Sequence, residues 1–159
     1  MPLINRWLEY FDLMRVRYSH SVHPRAETAL ETANAERMPA HELAKPVVYC
    51  SDAGFGIAVV PTDRFVDLER VACMLGLSRI RLANEAELVD LYPDCEPGAM
   101  PPLADACPMP VIVDNAVATE FIAFTIGTHR DIVRMSFADY QRMALAKVAS
   151  IARGRAVAA

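Results

Sequence analysis

Only two of the sixteen basic residues in this 159-residue chain are lysines, Lys45 and Lys147. Twenty acidic residues outweigh them, and the formal net charge of −4 excludes a protein that coats nucleic acid by charge alone. A grip on a short nucleic-acid end stays open; a DNA partner is not expected. No apolar run approaches the roughly 20 residues a membrane helix needs, so no membrane partner is expected either. The N-terminus carries Glu9 and Asp12 and lacks a small-residue cleavage site. That argues against a secretory signal and makes the cytoplasm the expected location.

Cysteine is sparse and irregular. Cys50, Cys73, Cys95 and Cys107 form no C-x-x-C pair, so a zinc site is poorly supported and no cofactor is expected. Buried free thiols are the better reading, with Cys50 in an apolar strand and Cys73 in an apolar helix. Cys95 and Cys107 flank a proline-rich stretch and merit a redox test. No G-x-S-x-G elbow is present, and no cysteine sits in a nucleophile motif. His20 and His23 have H-x-x-H spacing, but a strand puts them on opposite faces, which argues against a metal. No repeat or linker divides the chain. One domain of this length buries about 68–70% of its unfolded surface.

What the chain does have is proline in one place. Six of its eleven prolines fall within residues 92–110, YPDCEPGAMPPLADACPMP. Proline fixes φ and removes a backbone donor, so this stretch is neither a regular helix nor a central strand. Met100, Leu103 and Met109 punctuate it, which argues against disorder. It reads as a rigid loop whose turn at Gly98 offers backbone N–H groups to a ligand, or as a stiff connector between sheet segments.

Elsewhere the periodicities predict a helix over residues 3–14 and a strand over 16–22. A helix over 25–37 follows, then a hairpin of strands 43–50 and 55–60 around the turn Ser51-Asp52-Ala53-Gly54. Asp67 starts a helix that Gly76 stops. Residues 80–82 form a short strand, and Asn84 caps helix 85–91, with Glu87 placed to close a capping box. Strands follow at 110–114, 119–126 and 132–135, the last of the strands. Ser136 caps a final helix from Phe137 to about Ala152. The fold class is α+β around a mixed sheet.

The segments LAKPVV, PTDRFVDLERV, LYPDCEPGAMPPL, PVIVD and GTHRDIVRMSFADY resemble the YbaK/EbsC family of aminoacyl-tRNA deacylases, the editing domains associated with prolyl-tRNA synthetase. The strongest elements are Lys45 in a strand and the G-x-x-x-P loop of Gly98 and Pro102. The resemblance covers residues 18–143; residues 1–17 form an N-terminal helical extension and 144–159 a C-terminal helix and tail of the same single domain.

The resemblance implies a partly barrel-like mixed sheet flanked by helices, and metal-free hydrolysis of the ester joining a wrong amino acid to a tRNA 3′ end. It implies that Lys45 is the functional lysine and that Gly98, Ala99, Met100, Pro101 and Pro102 form one wall of the aminoacyl pocket. The turn Gly127-Thr128-His129 borders the same cleft. Pro46, directly after the lysine, departs from what the family's strand favours.

An ester carbonyl becoming tetrahedral needs N–H donors or positive potential at its oxygen, and amides around Gly98 fit that need. Lys45 then holds the terminal phosphate or sugar, or the carbonyl; otherwise it is a strand-edge lysine snorkelling to water. His129 is a site residue or a solvated turn residue. Tyr18 and His20 line the cleft by strand alternation, and Asp114 binds the substrate's amino group or ends its strand as a turn residue. The expected partner is the aminoacyl-tRNA 3′ end, with a separate synthetase as a second candidate partner. A non-catalytic module that keeps the pocket is the rival reading.

Overall fold

In the computed structural model, which describes residues 3–24 and 38–154, helix α1 (Leu3–Leu13) turns Trp7 and Phe11, four residues apart, into the core. Each such side chain contributes about 1.5–3 kcal/mol by burial, so the extension is part of the fold rather than an appendage. The helix expected over residues 25–37 lies outside the described residues.

Strand β1 (Tyr18–Val22) follows, then a 3₁₀ turn at Ala40–Glu42, then the hairpin β2 (Ala44–Ser51) and β3 (Gly54–Pro61). Asp52 and Ala53 make the hairpin turn, and the strands pair in register from Ser51↔Gly54 to Ala44↔Pro61. Gly56 sits opposite Tyr49 because nothing larger fits: a Cβ there would meet the Tyr49 hydroxyl at 2.1 Å.

The remaining strands are β4 (Phe65–Val66), β5 (Arg81–Leu82), β6 (Val111–Asp114), β7 (Phe121–Thr125), β8 (Asp131–Ser136), β9 (Lys147–Ala149) and β10 (Ala152–Arg153). They form a five-stranded sheet ordered β5-β2-β3-β6-β9, a three-stranded sheet β1-β8-β7 and a pair β10-β4. The five-stranded sheet is mixed, with β6 parallel to both β3 and β9. A parallel bridge from Leu43 to Ala123 ties the two larger sheets together, partly barrel-like but not a closed barrel.

Helix ends follow the local chemistry. Asp67 caps α2 (Leu68–Leu75) by accepting from Glu69 and Arg70 amides, and Gly76 ends it in the left-handed region. Asn84 and Glu87 form the expected capping box of α3 (Glu85–Leu91), and Ser136 caps α4 (Phe137–Ala144).

Two expectations need correction. The last helix does not reach Ala152: it stops at Ala144, with Leu145 left-handed at φ 53°. Residues 147–149 instead pair with β6, so the 132–135 strand is not the last and residues 145–153 are not a helix. The gain of a parallel ladder overrides the helical propensity of the alanine-rich sequence. Cys73 is exposed rather than buried, because α2 turns Val71 inward and Cys73 lies two residues off that stripe.

Two apolar layers result. The main core joins Val48, Ile57 and Val113 to Phe124, Val133, Tyr140, α1 and the proline-rich loop. A second lies across the five-stranded sheet, where Tyr49, Ala58, Val60 and Ile112 pack with Val71.

Candidate functional site

The proline-rich loop is held mainly through its carbonyls. Tyr140 donates its hydroxyl to Pro102 O at 2.7 Å and Tyr92 to Leu103 O at 2.9 Å. The Gly127 amide donates to Ala99 O at 2.7 Å, and the Glu96 amide to Gly127 O at 2.8 Å. His129, only 4% exposed, donates Nε2–H to Pro97 O at 2.6 Å, while its amide donates to Glu96 Oε2 at 3.2 Å. A carbonyl only accepts, so this bond fixes the imidazole tautomer. Prolines cannot donate, and the loop's order therefore comes from donors on Tyr92 just after α3, on α4 and on the β7–β8 turn.

That scaffold presents Gly98 to solvent at φ +81°, a conformation glycine adopts without strain. A Cβ on Gly98 would lie 3.5 Å from His129 Cε1, so the two turns touch. Ala99, Pro101 and Pro102 are buried. Gly98 and Met100 line a cavity of about 320 Å³ with Leu88, Val89, Tyr92, Glu85 and Glu96. Cys95 lines it too, its thiol pushed up to about 12 by burial. Gly127 and His129 therefore touch the loop directly, while Gly127, Thr128 and His129 do not line that cavity.

Lys45 is elsewhere. Ala44 and Val48 pack into the main core with Met100 and Leu103, and strand alternation sends Lys45 and Val47 to the other face. Nζ donates to Arg64 O at 3.0 Å and lies 5.6 Å from the Phe65 ring centroid. Burial lowers its pKa, and the charge of Asp63 partly restores it. Its cavity, about 520 Å³, is lined by Val47, Val66 and Leu68 among others and by no residue of the Gly98–Pro102 loop. Lys45 and that loop thus line different cavities. Pro46 fits because β5 pairs with β2 only at Tyr49 and Cys50, leaving that edge of β2 without a β5 partner at Pro46.

Of the other expected residues, His20 joins the turn through Asp131: Nε2 lies 2.6 Å from Oδ1, and Oδ2 accepts the Thr128 hydroxyl. Tyr18 does not reach the cleft; it packs on Phe11 and its hydroxyl donates to Asp12 at 3.2 Å. Asp114 is no amino-group receptor. It is 4% exposed and accepts three backbone amides, from Ala116, Ile151 and Ala152 at 2.8–2.9 Å, stapling β6 to β10. Among the described residues no three His, Cys, Asp or Glu side chains gather to hold a metal, and no helix is long and apolar enough to cross a membrane.

Sequence reasoning missed the residues that position the loop, Glu96, Tyr92 and Tyr140, and the Phe65 and Arg153 that share Lys45's cavity. Glu96 was legible, two residues before the glycine turn. Arg153 was not, because its strand was read as the end of a helix.

Comparison with known proteins places this geometry. The aminoacyl-tRNA editing domain profile matches residues 23–143. The chain belongs to that family. The editing domain is 32% identical over 106 residues to the proline–tRNA ligase of Xanthomonas oryzae pv. oryzae, covering 67% of this chain and 18% of the synthetase. It is 30% identical over 110 residues to that of Xanthomonas campestris pv. campestris, covering 67% and 19%. The chain thus spans under a fifth of the length of these relatives.

Among solved structures, one described as a candidate trans-editing enzyme for prolyl tRNA synthetase superposes with TM-score 0.84 at 20% identity, covering 97% of this chain and 99% of that one. A hypothetical protein, APE2540, gives TM-score 0.84 at 19% identity, covering 93% and 99%. At such identities the likeness is one of fold. Lys45, Gly98 and His129 lie inside the matched region of the editing domain, whereas Trp7, Phe11 and Arg153 lie outside it.

Proposed function

We propose that the protein hydrolyses the ester of mischarged aminoacyl-tRNA in trans, with the reaction centred on the Gly98 turn. The observation that carries this reading is the exposed, positive-φ Gly98 braced by buried His129. No acceptor among the described residues takes the Gly98 or Met100 amide. Preset amide donors suit the oxyanion formed when water attacks an ester carbonyl, and losing one such donor costs about 10²–10³ in rate. His129 Nε2–H is committed to Pro97 O and the residue is 4% exposed, so His129 is assigned the positioning of the turn. The attacking water is assisted by the substrate's own ribose hydroxyl.

The cavity beside Gly98 takes the amino-acid side chain against Leu88, Val89, Tyr92 and Met100, with Glu85 in its lining for the α-ammonium. Lys45, in its own cavity, grips the nucleotide end. The similar synthetases are proline–tRNA ligases, which makes mischarged proline tRNA the first substrate to try.

The test is a deacylation screen of purified protein against mischarged tRNAs, with and without EDTA. Accelerated release from at least one, indifferent to chelator, is expected. Tight binding with release no faster than buffer across the panel would instead make the protein a binding module.

A further inference from the structure

One side chain of β1 fastens the β7–β8 turn from outside. His20 lies opposite Val133 in the β1–β8 pair and reaches diagonally to Asp131, the partner of Val22. Its Nε2 is 2.6 Å from Asp131 Oδ1. A carboxylate only accepts, so Nε2 carries the proton, and bonds to a carboxylate are short. The other oxygen, Oδ2, accepts the Thr128 hydroxyl, and Thr128 Oγ1 accepts the Arg130 and Asp131 amides, each at 3.1 Å. Asp131 thus gives one oxygen to the turn and one to β1. Its side chain is 14% exposed and that of His20 26%, so the junction is largely shielded from water.

The same turn holds the proline-rich loop on its other side, through His129 Nε2–H on Pro97 O and the Gly127 amide on Ala99 O. The Ala99 amide donates to Glu96 O at 3.0 Å, which closes residues 96–99 into a β-turn. Pro97 stands at its second position and Gly98, at φ +81°, at its third, the type II arrangement. Types I and II differ in which way the peptide between those two residues faces. A flip of the Pro97–Gly98 peptide would turn the Gly98 amide away from the side it now faces, and the bond from His129 to Pro97 O opposes that flip. His129 holds Pro97 only while residues 127–131 keep their shape.

We infer that His20 is a positioning residue for the reaction: through Asp131 and Thr128 it fixes the β7–β8 turn, and through His129 it fixes the peptide that presents the Gly98 amide. The inference rests on the deacylase reading for what that amide does, and on the chain of hydrogen bonds alone for the coupling. His20 precedes the matched family region, which begins at residue 23, so the support comes from outside the matched residues.

The experiment pairs single-turnover deacylation of mischarged proline tRNA, over a range of enzyme concentrations, with water exchange of the His129 Nε2 proton read by NMR on isotope-labelled histidine. His20→Ala is expected to lower the saturating rate by on the order of tenfold with half-saturation unchanged, as loss of an interaction made only in the transition state does. Exchange of the His129 proton should quicken by on the order of tenfold, because the turn opens locally more often. His20→Gln still presents an N–H donor to Asp131 and should recover most of both. Asp131→Asn keeps the shape with one acceptor fewer and should reproduce the losses, which keeps the test valid should His20→Ala melt early.

Wild-type saturating rates and wild-type His129 exchange in His20→Ala and Asp131→Asn would overturn the inference, and a lowered melting temperature alone would make the pair a mere tie between β1 and β8. A rate that falls in His20→Ala and is not recovered in His20→Gln would overturn it as well. Faster His129 exchange in His20→Ala, with no deacylation of any tRNA by the wild type, would sink the deacylase reading and keep the coupling; deacylation lost in Gly98→Ala with every His20 variant at the wild-type rate would do the reverse.

Discussion

The Gly98 turn and the Lys45 cavity are built by opposite means. At the turn the proline-rich loop supplies mainly acceptors, and Tyr92, Tyr140, Gly127 and His129 supply the donors. At the Lys45 cavity the surroundings are side chains on strands and the start of α2, and one buried carboxylate, Asp114, holds one of those strands, β10, in place. The first arrangement leaves amides free at a rigid glycine, which suits charge that develops during a reaction. The second offers cations and an aromatic face, which suits holding a charged, flat ligand.

Breaking one region should spare the other. Asp114→Ala removes the acceptor of three amides and should cost about 3 kcal/mol or more in chemical denaturation, since buried donors left unpaired cost about 1–3 kcal/mol each. Arg153 follows Ala152 directly, so RNA affinity should fall with stability while the loop's own order persists. Equal stability of the variant would mean the staple is idle. Tyr140→Phe should cost less, about 1–2 kcal/mol, by leaving Pro102 O buried and unpaired. Hydrogen exchange should then rise in the loop and stay unchanged in β4 and β10; a uniform rise would erase the distinction between the regions.

The pH dependence separates them further. Burial holds Lys45 below the ordinary lysine value of 10.5, so affinity that needs its charge should fade as pH rises through that lowered pKa. In the same window the unfolded chain binds more protons than the folded one, so the cost of burying Lys45 charged is relieved and stability from this group rises with pH. Lys45→Arg should flatten the affinity profile there. An unchanged profile in the variant would assign the titration to another group.

The smallest effect is on cysteine alkylation at pH 8. Exposed Cys73 and Cys107 should react while Cys95, pushed up to about 12 by burial, stays unmodified in mass spectra. Early labelling of Cys95 would show that the loop opens.

The turn was easier to foresee than the cavity. Proline and glycine act through φ and missing donors, which are properties of the residue itself, so the loop and Gly98 were legible in the sequence. Asp67, Asn84 and Ser136 were legible as caps for the same local reason. Lys45's partners depend on which face of β2 it occupies and on a strand at residues 152–153 that pairs with residues 65–66. That pairing is long-range, and the alanine-rich stretch before it carries a helical signal. Asp114 misled for a related reason: a carboxylate ending a strand has the same sequence signature whether it meets a substrate amine or three backbone amides.

The most direct test of the account compares Gly98→Ala and Lys45→Ala in single-turnover deacylation of one mischarged tRNA over a range of enzyme concentrations. A Cβ on Gly98 meets only ordinary contact with His129, so any loss there comes from the displaced backbone. The account predicts that Gly98→Ala lowers the saturating rate by on the order of 10²-fold with little change in half-saturation. Lys45→Ala should raise half-saturation by about tenfold and leave the saturating rate within a few fold, as loss of ground-state binding does. A saturating rate that collapses in Lys45→Ala and survives in Gly98→Ala would contradict the assignment of chemistry to the turn and of grip to the lysine.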